Sequence, residues 1–180
     1  MNSRRIEAVT VMFCGPHDND GMVSFRRVDH AITVANRESS PLLLAGDARR
    51  GYDLVLFRIR AIEGGVRDVQ NLYHPKANTL SDAGSLARQL LTPRFQQVVE
   101  ILLVTDSWHM ARASCMLAGE LARICQGRTF TLVSKDVTIG PTPPEHVLDG
   151  ELRGKEDYLR GAYGQRAVVQ PFGKPSAGRV

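Results

Sequence analysis

The stretch Ile101 to Arg112, ILLVTDSWHMAR, constrains the fold more than any other part of the chain. Its apolar run, Ile101 to Val104, is the kind of strand that is covered on both faces of a parallel sheet, and Thr105, Asp106 and Ser107 after it are helix N-cap residue types. Met110, Ala113, Cys115, Met116, Leu117 and Leu121 then form an apolar stripe at near-helical spacing. A buried strand therefore delivers a helix N-terminus. Free N–H groups and the positive dipole end gather there, with His109 and Arg112 one helical step apart on the same side. The combination suits an anionic ligand. The plainer account is a strand-helix unit whose polar residues only cap the helix.

The same arrangement recurs along the chain. A first strand is expected over Ala8 to Phe13, ending at Cys14-Gly15-Pro16. From Phe25 to Asn36, Val28, Ala31, Ile32 and Ala35 keep i, i+3, i+4, i+7 spacing, which makes an amphipathic helix. Arg26 and Arg27 stand in its first turn, against the macrodipole, which points either to a bound anion or to long stems lying on solvent. Leu42 to Ala45 reads as a second strand ending at Gly46-Asp47, and Tyr52 to Ile62 as a helix closed by Gly64-Gly65. Val69 to Tyr73 is a short third strand stopped by His74-Pro75; Leu80 to Leu91 is a helix, and Pro93 follows. Phe130 to Ser134 is another strand, and Glu145 to Gly161 a polar helix. Strands alternating with helices give an α/β fold with a mainly parallel sheet and helices on both faces. Several strands ending at Gly or Asp imply one shared crevice at their carboxyl ends.

At 180 residues the chain fits one domain, expected over 1–163, with a basic, Gly- and Pro-rich tail over 164–180 that is either extended or flexible or else packed on a neighbouring subunit, which leaves a homo-oligomer open. No stretch reaches the roughly 18 apolar residues of a membrane span. The N-terminus reads as a strand rather than a leader, because Glu7 interrupts its apolar run. The net charge is +4, yet the 23 basic residues are scattered and aromatics are 6%, which argues against a specific nucleic-acid surface and for an anionic small molecule. Cys14, Cys115 and Cys125 are odd in number and lack zinc spacing; reduced thiols in a cytoplasmic protein are expected, with no metal assigned.

His109 is the best acid/base candidate, since imidazole titrates near neutrality. Arg27 and Arg112 offer planar forks to a phosphate or carboxylate; their plainer role is an ion pair with Asp20 or Asp47. Asp20, Asp47 and Asp106 lie at or near strand ends, where a carboxylate suits a ribose or a cation. Ser24, Thr79 and Ser107 carry hydroxyls for phosphate contact, or for capping. Gly15 and Gly46 let backbone approach a ligand, and Thr105 and Trp108 complete the rim. There is no nucleophile elbow, phosphate-binding P-loop or complete dinucleotide fingerprint, which excludes a conventional P-loop kinase or dehydrogenase.

The blocks Cys14-Gly15 with Asp20-Gly21, Ser24 and Arg27, then Leu44-Ala45-Gly46, Ala77-Asn78-Thr79 with Ala83, and Leu103-Val104-Thr105 with His109-Met110 and Arg112-Ala113 resemble the SanA, ElyC and YdcF group of bacterial proteins. The resemblance covers about residues 8 to 140 and is closest to the YdcF-like branch, since the membrane segment of the other branches is absent. It departs at Ala45-Gly46-Asp47, where the family has Ser-Gly-Gly, and at Ser81-Asp82, where it has Glu-Asn. The resemblance implies a three-layer Rossmann-like fold and S-adenosylmethionine as a ligand of the branch. The expectation is a small-molecule enzyme of group transfer or hydrolysis, acting on a phosphorylated or nucleoside-bearing anionic ligand, with His109, Asp106 and Arg112 in the chemistry. The alternative is a noncatalytic regulatory module that binds a nucleotide or S-adenosylmethionine.

Overall fold

The computed structural model describes residues 5–14, 22–47, 51–74, 78–138 and 143–164. Its elements alternate: β1 (Ala8–Phe13), α1 (Met22–Glu38), β2 (Leu42–Asp47), α2 (Gly51–Glu63), β3 (Val69–His74), α3 (Thr79–Gln89), β4 (Glu100–Asp106), α4 (Ser107–Ile124), β5 (Thr131–Val137) and α5 (Glu145–Leu159). A 3-10 turn at Pro93–Phe95 joins α3 to β4. The strands form one sheet in the order β3-β2-β1-β4-β5, and every pairing is parallel. The parallel sheet with helices on both faces is as the alternation of patterns implied, and the arrangement is three-layer and Rossmann-like.

The central strands are apolar throughout because both of their faces are covered. Val11 stands in register with Leu43 on one side and Leu103 on the other, and all three are fully buried. Residues alternate between faces along each strand. Val9, Val11, Phe13, Leu43, Ala45, Ile101 and Leu103 pack with α3, α4 and Tyr158 of α5, whereas Met12, Cys14, Leu42, Leu44, Leu102 and Val104 pack with α1 and α2. Two cores thus flank one sheet. Fully burying each such side chain contributes about 1.5–3 kcal/mol relative to exposure, so register is strongly specified.

Several elements run past their expected limits because pairing continues. His74 belongs to β3 rather than stopping it, since it pairs with Asp47, and β5 extends to Val137, the partner of Asp106. The helix expected from Phe25 starts at Met22. Residues 165–180 of the tail lie outside the described part, as does the loop carrying Gly15 and Asp20.

Loop contacts hold the helices to the sheet. Arg128 donates to the carbonyls of Leu90 (2.5 Å), Phe95 (3.1 Å) and Val98 (2.8 Å), which closes the turn between α3 and β4. Such internal use accounts for part of the dispersed basic charge. No helix among the described residues is long and apolar enough to cross a membrane.

Candidate active site at the carboxyl edge of the sheet

Strand order reverses between β1 and β4: β1 leads through α1 to one side of the sheet, β4 through α4 to the other. This switch point is where ligands of open parallel sheets bind. Arg27 of α1 occupies it. Its Nε lies 3.3 Å from Oδ1 of Asp106 and its Nη2 2.5 Å from Oδ2, while Nη1 donates to the Cys14 carbonyl at the end of β1. Arg27 is 1% exposed and Asp106 2%. The guanidinium therefore straps β1 to β4 as half of a buried bidentate pair, and its charge is already matched. Because α1 starts at Met22, Arg27 stands in its second turn rather than against the dipole of its first, and the carboxylate that meets it, Asp106, is neither of those expected from the sequence. Asp106 is the N-cap residue of α4 by backbone position, yet its side chain makes no capping bond, because it is turned to Arg27.

Alternation along β4 separates its last two residues. Asp106 follows Leu102 and Val104 onto the α1 face, so Thr105 follows Ile101 and Leu103 onto the face of α3 and α4. The sequence reading grouped Asp106 with His109 and Arg112; the structure places its carboxylate across the strand from them, in the Arg27 pair. Thr105 Oγ1 is buried and has no hydrogen-bond partner.

On the α3 and α4 face stands His109, in the first turn of α4 and 3% exposed. Its Nδ1 is 2.7 Å from Oε2 of Glu151 on α5, and its Nε2 is 3.3 Å from Oγ1 of Thr79 at the start of α3. A carboxylate can only accept, so the 2.7 Å contact with Glu151 places a ring proton on Nδ1, and the 3.4 Å approach of Arg112 Nη2, itself a donor, is a neighbouring contact rather than a hydrogen bond; in the neutral ring the Nε2 lone pair then faces the Thr79 hydroxyl. Arg112 holds the other Glu151 oxygen, Oε1, at 2.7 Å. It does so through Nη2 alone, and Arg112 Nε is buried without a hydrogen-bond partner, unlike Arg27, whose three nitrogens are all engaged. The expected helical step from His109 to Arg112 is real, since Arg112 Nη2 comes within 3.4 Å of His109 Nδ1, and Glu151 reads both residues.

A second histidine–carboxylate pair lies at the end of β3. His74 Nε2 is 2.6 Å from Oδ1 of Asp82 on α3; both are buried, and His74 Nδ1 has no partner. Thr79 and Asp82 are three residues apart on α3, so one helix face meets both histidines.

The remaining expected residues divide as follows. Ser107 is exposed, and Trp108 is half-buried with its ring 5.6 Å from that of His109. Gly46 has a packing reason, since a Cβ there would come 3.1 Å from Leu54 Cδ2 and 3.4 Å from Cys14 Cβ. Ser24 lies in α1 and Asp47 closes β2, but their side chains, like Gly15 and Asp20, lie outside the described set. Among the described residues no group of three or more His, Cys, Asp and Glu side chains is placed to hold a metal ion. None of the three cysteines is in a disulfide, and burial raises the thiol pKa of Cys115 and Cys125, which keeps both protonated.

Glu151 is the main residue that sequence reasoning missed. It sits in a helix rich in acids, and its signal is spatial: Glu151, Gly154 and Tyr158 share the face packed on α4. A Cβ at Gly154 would come 2.9 Å from Arg112 Nη1, and one at Gly119 would come 2.8 Å from Tyr158 Cζ. Two glycines thus let α5 approach closely enough for Glu151 to reach His109. Buried Tyr158 directs its hydroxyl to Glu120 Oε1 at 3.4 Å, and burial raises its pKa well above the ordinary value of 10.

No protein-family model matches this sequence, and no curated protein matches it significantly.

Proposed function

We propose that the protein is a small-molecule enzyme of group transfer or hydrolysis, working on a phosphorylated or nucleoside-bearing ligand at the carboxyl ends of the parallel strands. The observation that carries this reading is His109: buried, with Nδ1 2.7 Å from the Glu151 carboxylate and Nε2 3.3 Å from the Thr79 hydroxyl. A histidine needed only for packing does not require a carboxylate that is itself oriented by an arginine. General acid–base catalysis does, and contributes on the order of 10²–10⁴ in rate. Two buried polar atoms without partners, Thr105 Oγ1 and His74 Nδ1, lie at the ends of β4 and β3 and add hydrogen-bonding capacity at that edge.

Among the described residues Arg27 is fully engaged by Asp106, so the anionic part of the ligand is met by N–H groups of the helix starts, by hydroxyls and by the unpartnered Nε of Arg112, whose charge Glu151 balances. A second reading, a noncatalytic regulatory module for a nucleotide or S-adenosylmethionine, draws on half-buried Trp108, whose ring offers a face for a planar base.

A thermal-shift screen with nucleotides, S-adenosylmethionine and sugar phosphates tests both. A ligand at about a hundred times its Kd adds about 2.7 kcal/mol of stability. Conversion of the stabilising ligand by the wild type, lost in His109→Gln with binding retained, supports the enzyme; binding without conversion supports the regulatory module; no shift with any of these ligands refutes both.

A further inference from the structure

We propose that Thr79 is a covalent nucleophile, activated by His109 and Glu151, and that the group it attacks is a carboxylic ester or thioester. The proposal rests on the enzyme reading of this site and assigns its electrophile.

Three side chains from three separate helices form a line. Glu151 Oε2 meets His109 Nδ1 at 2.7 Å, and His109 Nε2 meets Thr79 Oγ1 at 3.3 Å. A carboxylate, an imidazole and a hydroxyl in this order make the hydroxyl a nucleophile, because the imidazole takes its proton and the carboxylate stabilises the resulting imidazolium. Arg112 fixes Glu151 from behind through Oε1, so Glu151 is a positioning residue with one oxygen assigned to each neighbour. The three side chains are 7% exposed at Thr79, 3% at His109 and 11% at Glu151, which keeps their interaction in a low dielectric.

Thr79 is the first residue of α3, and Asn78 is its N-cap, accepting from Ser81 N through its side chain. The hydroxyl thus stands beside the N–H groups of Thr79 and Leu80, which belong to the first turn and have no acceptor within the helix. They are suited to an oxyanion that develops next to Oγ1. Thr105 Oγ1, buried without a partner on the same side of the sheet, is a further donor.

The charges decide the electrophile. Phosphoryl transfer spreads charge over three equatorial oxygens and draws on cationic clamps. Among the described residues Arg27 is taken up by Asp106 on the other face, and the charge of Arg112 is balanced by Glu151 although its Nε keeps no partner, so neither supplies an uncompensated positive charge. A neutral carbonyl needs only N–H donors.

In the first step Thr79 Oγ bonds to the carbonyl carbon, its proton passes to His109 Nε2, and the carbonyl π pair moves onto oxygen. Collapse breaks the bond to the alcohol or thiol, which leaves with the proton from Nε2. Water then attacks the acyl-Thr79 ester, gives one proton to Nε2, and the acid departs as Thr79 recovers the proton. Atoms and charge balance without any further reactant.

The test incubates the full chain with p-nitrophenyl acetate, quenches in acid and maps acetylation by peptide mass spectrometry. Acetylation at position 79 is expected in the wild type and in Thr79→Ser, is absent in Thr79→Val, and falls on the order of 10²-fold or more in His109→Gln, with circular dichroism checking that each variant is folded. Wild-type protein without acetyl-Thr79 overturns the proposal, as does Thr79→Val releasing nitrophenol at the wild-type rate. If Thr79→Val keeps turnover and His109→Gln loses it, the nucleophile assignment fails while the enzyme reading stands. If neither substitution changes turnover, both fail.

Discussion

At the scale of single residues, buried charge is the controlling quantity. Arg27 and Asp106 are 1% and 2% exposed, and each satisfies the other with two hydrogen bonds. Removing one partner of such a pair leaves an uncompensated charge in a low dielectric, which costs about 3–5 kcal/mol. Asp106→Asn is accordingly expected to lower unfolding stability by about that amount in urea titration, whereas exposed Glu156→Gln, whose pairing with Arg160 is a surface contact, changes it by less than about 1 kcal/mol. The Glu151–His109 contact makes a different prediction. With the carboxylate present, the ring proton is held on Nδ1. In Glu151→Ala that constraint is gone, and two-bond nitrogen–proton correlation spectra of labelled His109 should change from one tautomer to a mixture. An unchanged tautomer in Glu151→Ala would show that Glu151 does not orient the ring.

At the scale of elements, the site depends on how closely α5 lies on α4. Gly119 and Gly154 stand where the Tyr158 ring and the Arg112 guanidinium pass. Gly119→Ala places a methyl group against the Tyr158 ring, and overpacking of this kind costs about 1–3 kcal/mol. Because α5 meets the rest of the protein mainly through α4, the expected response is local. Amide exchange in α5 should accelerate while β1 and β4 stay protected, and the His109 tautomer should change as in Glu151→Ala. Equal loss of protection across the whole sheet would refute this division of stability. The α1–α2 pair is tied by its own contacts, Phe25 edge-on to Phe57 at 5.8 Å and Arg60 to Asp29 at 2.6 Å, and should be unaffected.

At the scale of the whole molecule, pH dependence reports how the layers close on the sheet. His30 of α1 has its pKa lowered from 6.5, chiefly by burial, with Arg37 and Lys135 acting in the same direction and Asp136 opposing. The folded chain therefore takes up this proton less readily than the unfolded chain. Above the ordinary imidazole value neither state carries it and His30 contributes no slope; as pH falls through about 6.5 and on to the lower folded value, the unfolded state is favoured and stability is lost. His30→Gln should flatten the fall in Tm between about pH 7 and pH 5 relative to the wild type. A parallel fall in both proteins would contradict the burial argument.

The sequence by itself determined the alternation of elements, the parallel sheet and the edge at which polar residues collect. These follow from periodicity, from the continuous apolar runs at Leu42–Leu44 and Ile101–Val104, and from local backbone chemistry, all of which act over a few residues. It also marked His109 and Thr79, because helix starts are visible locally. Element ends were less legible: His74 continues β3 because Asp47 of another strand pairs with it. Only the tertiary structure decided which charges meet. Arg27 and Asp106 are 79 residues apart, and His109 and Glu151 42 apart, so no local pattern joins them. The same assembly separated Asp106 from His109, since successive residues of a strand point to opposite faces and each face is covered by its own helices. A guanidinium that looks free for an anion in the sequence is already neutralised once the layers close, because a buried charge is stable only beside its partner.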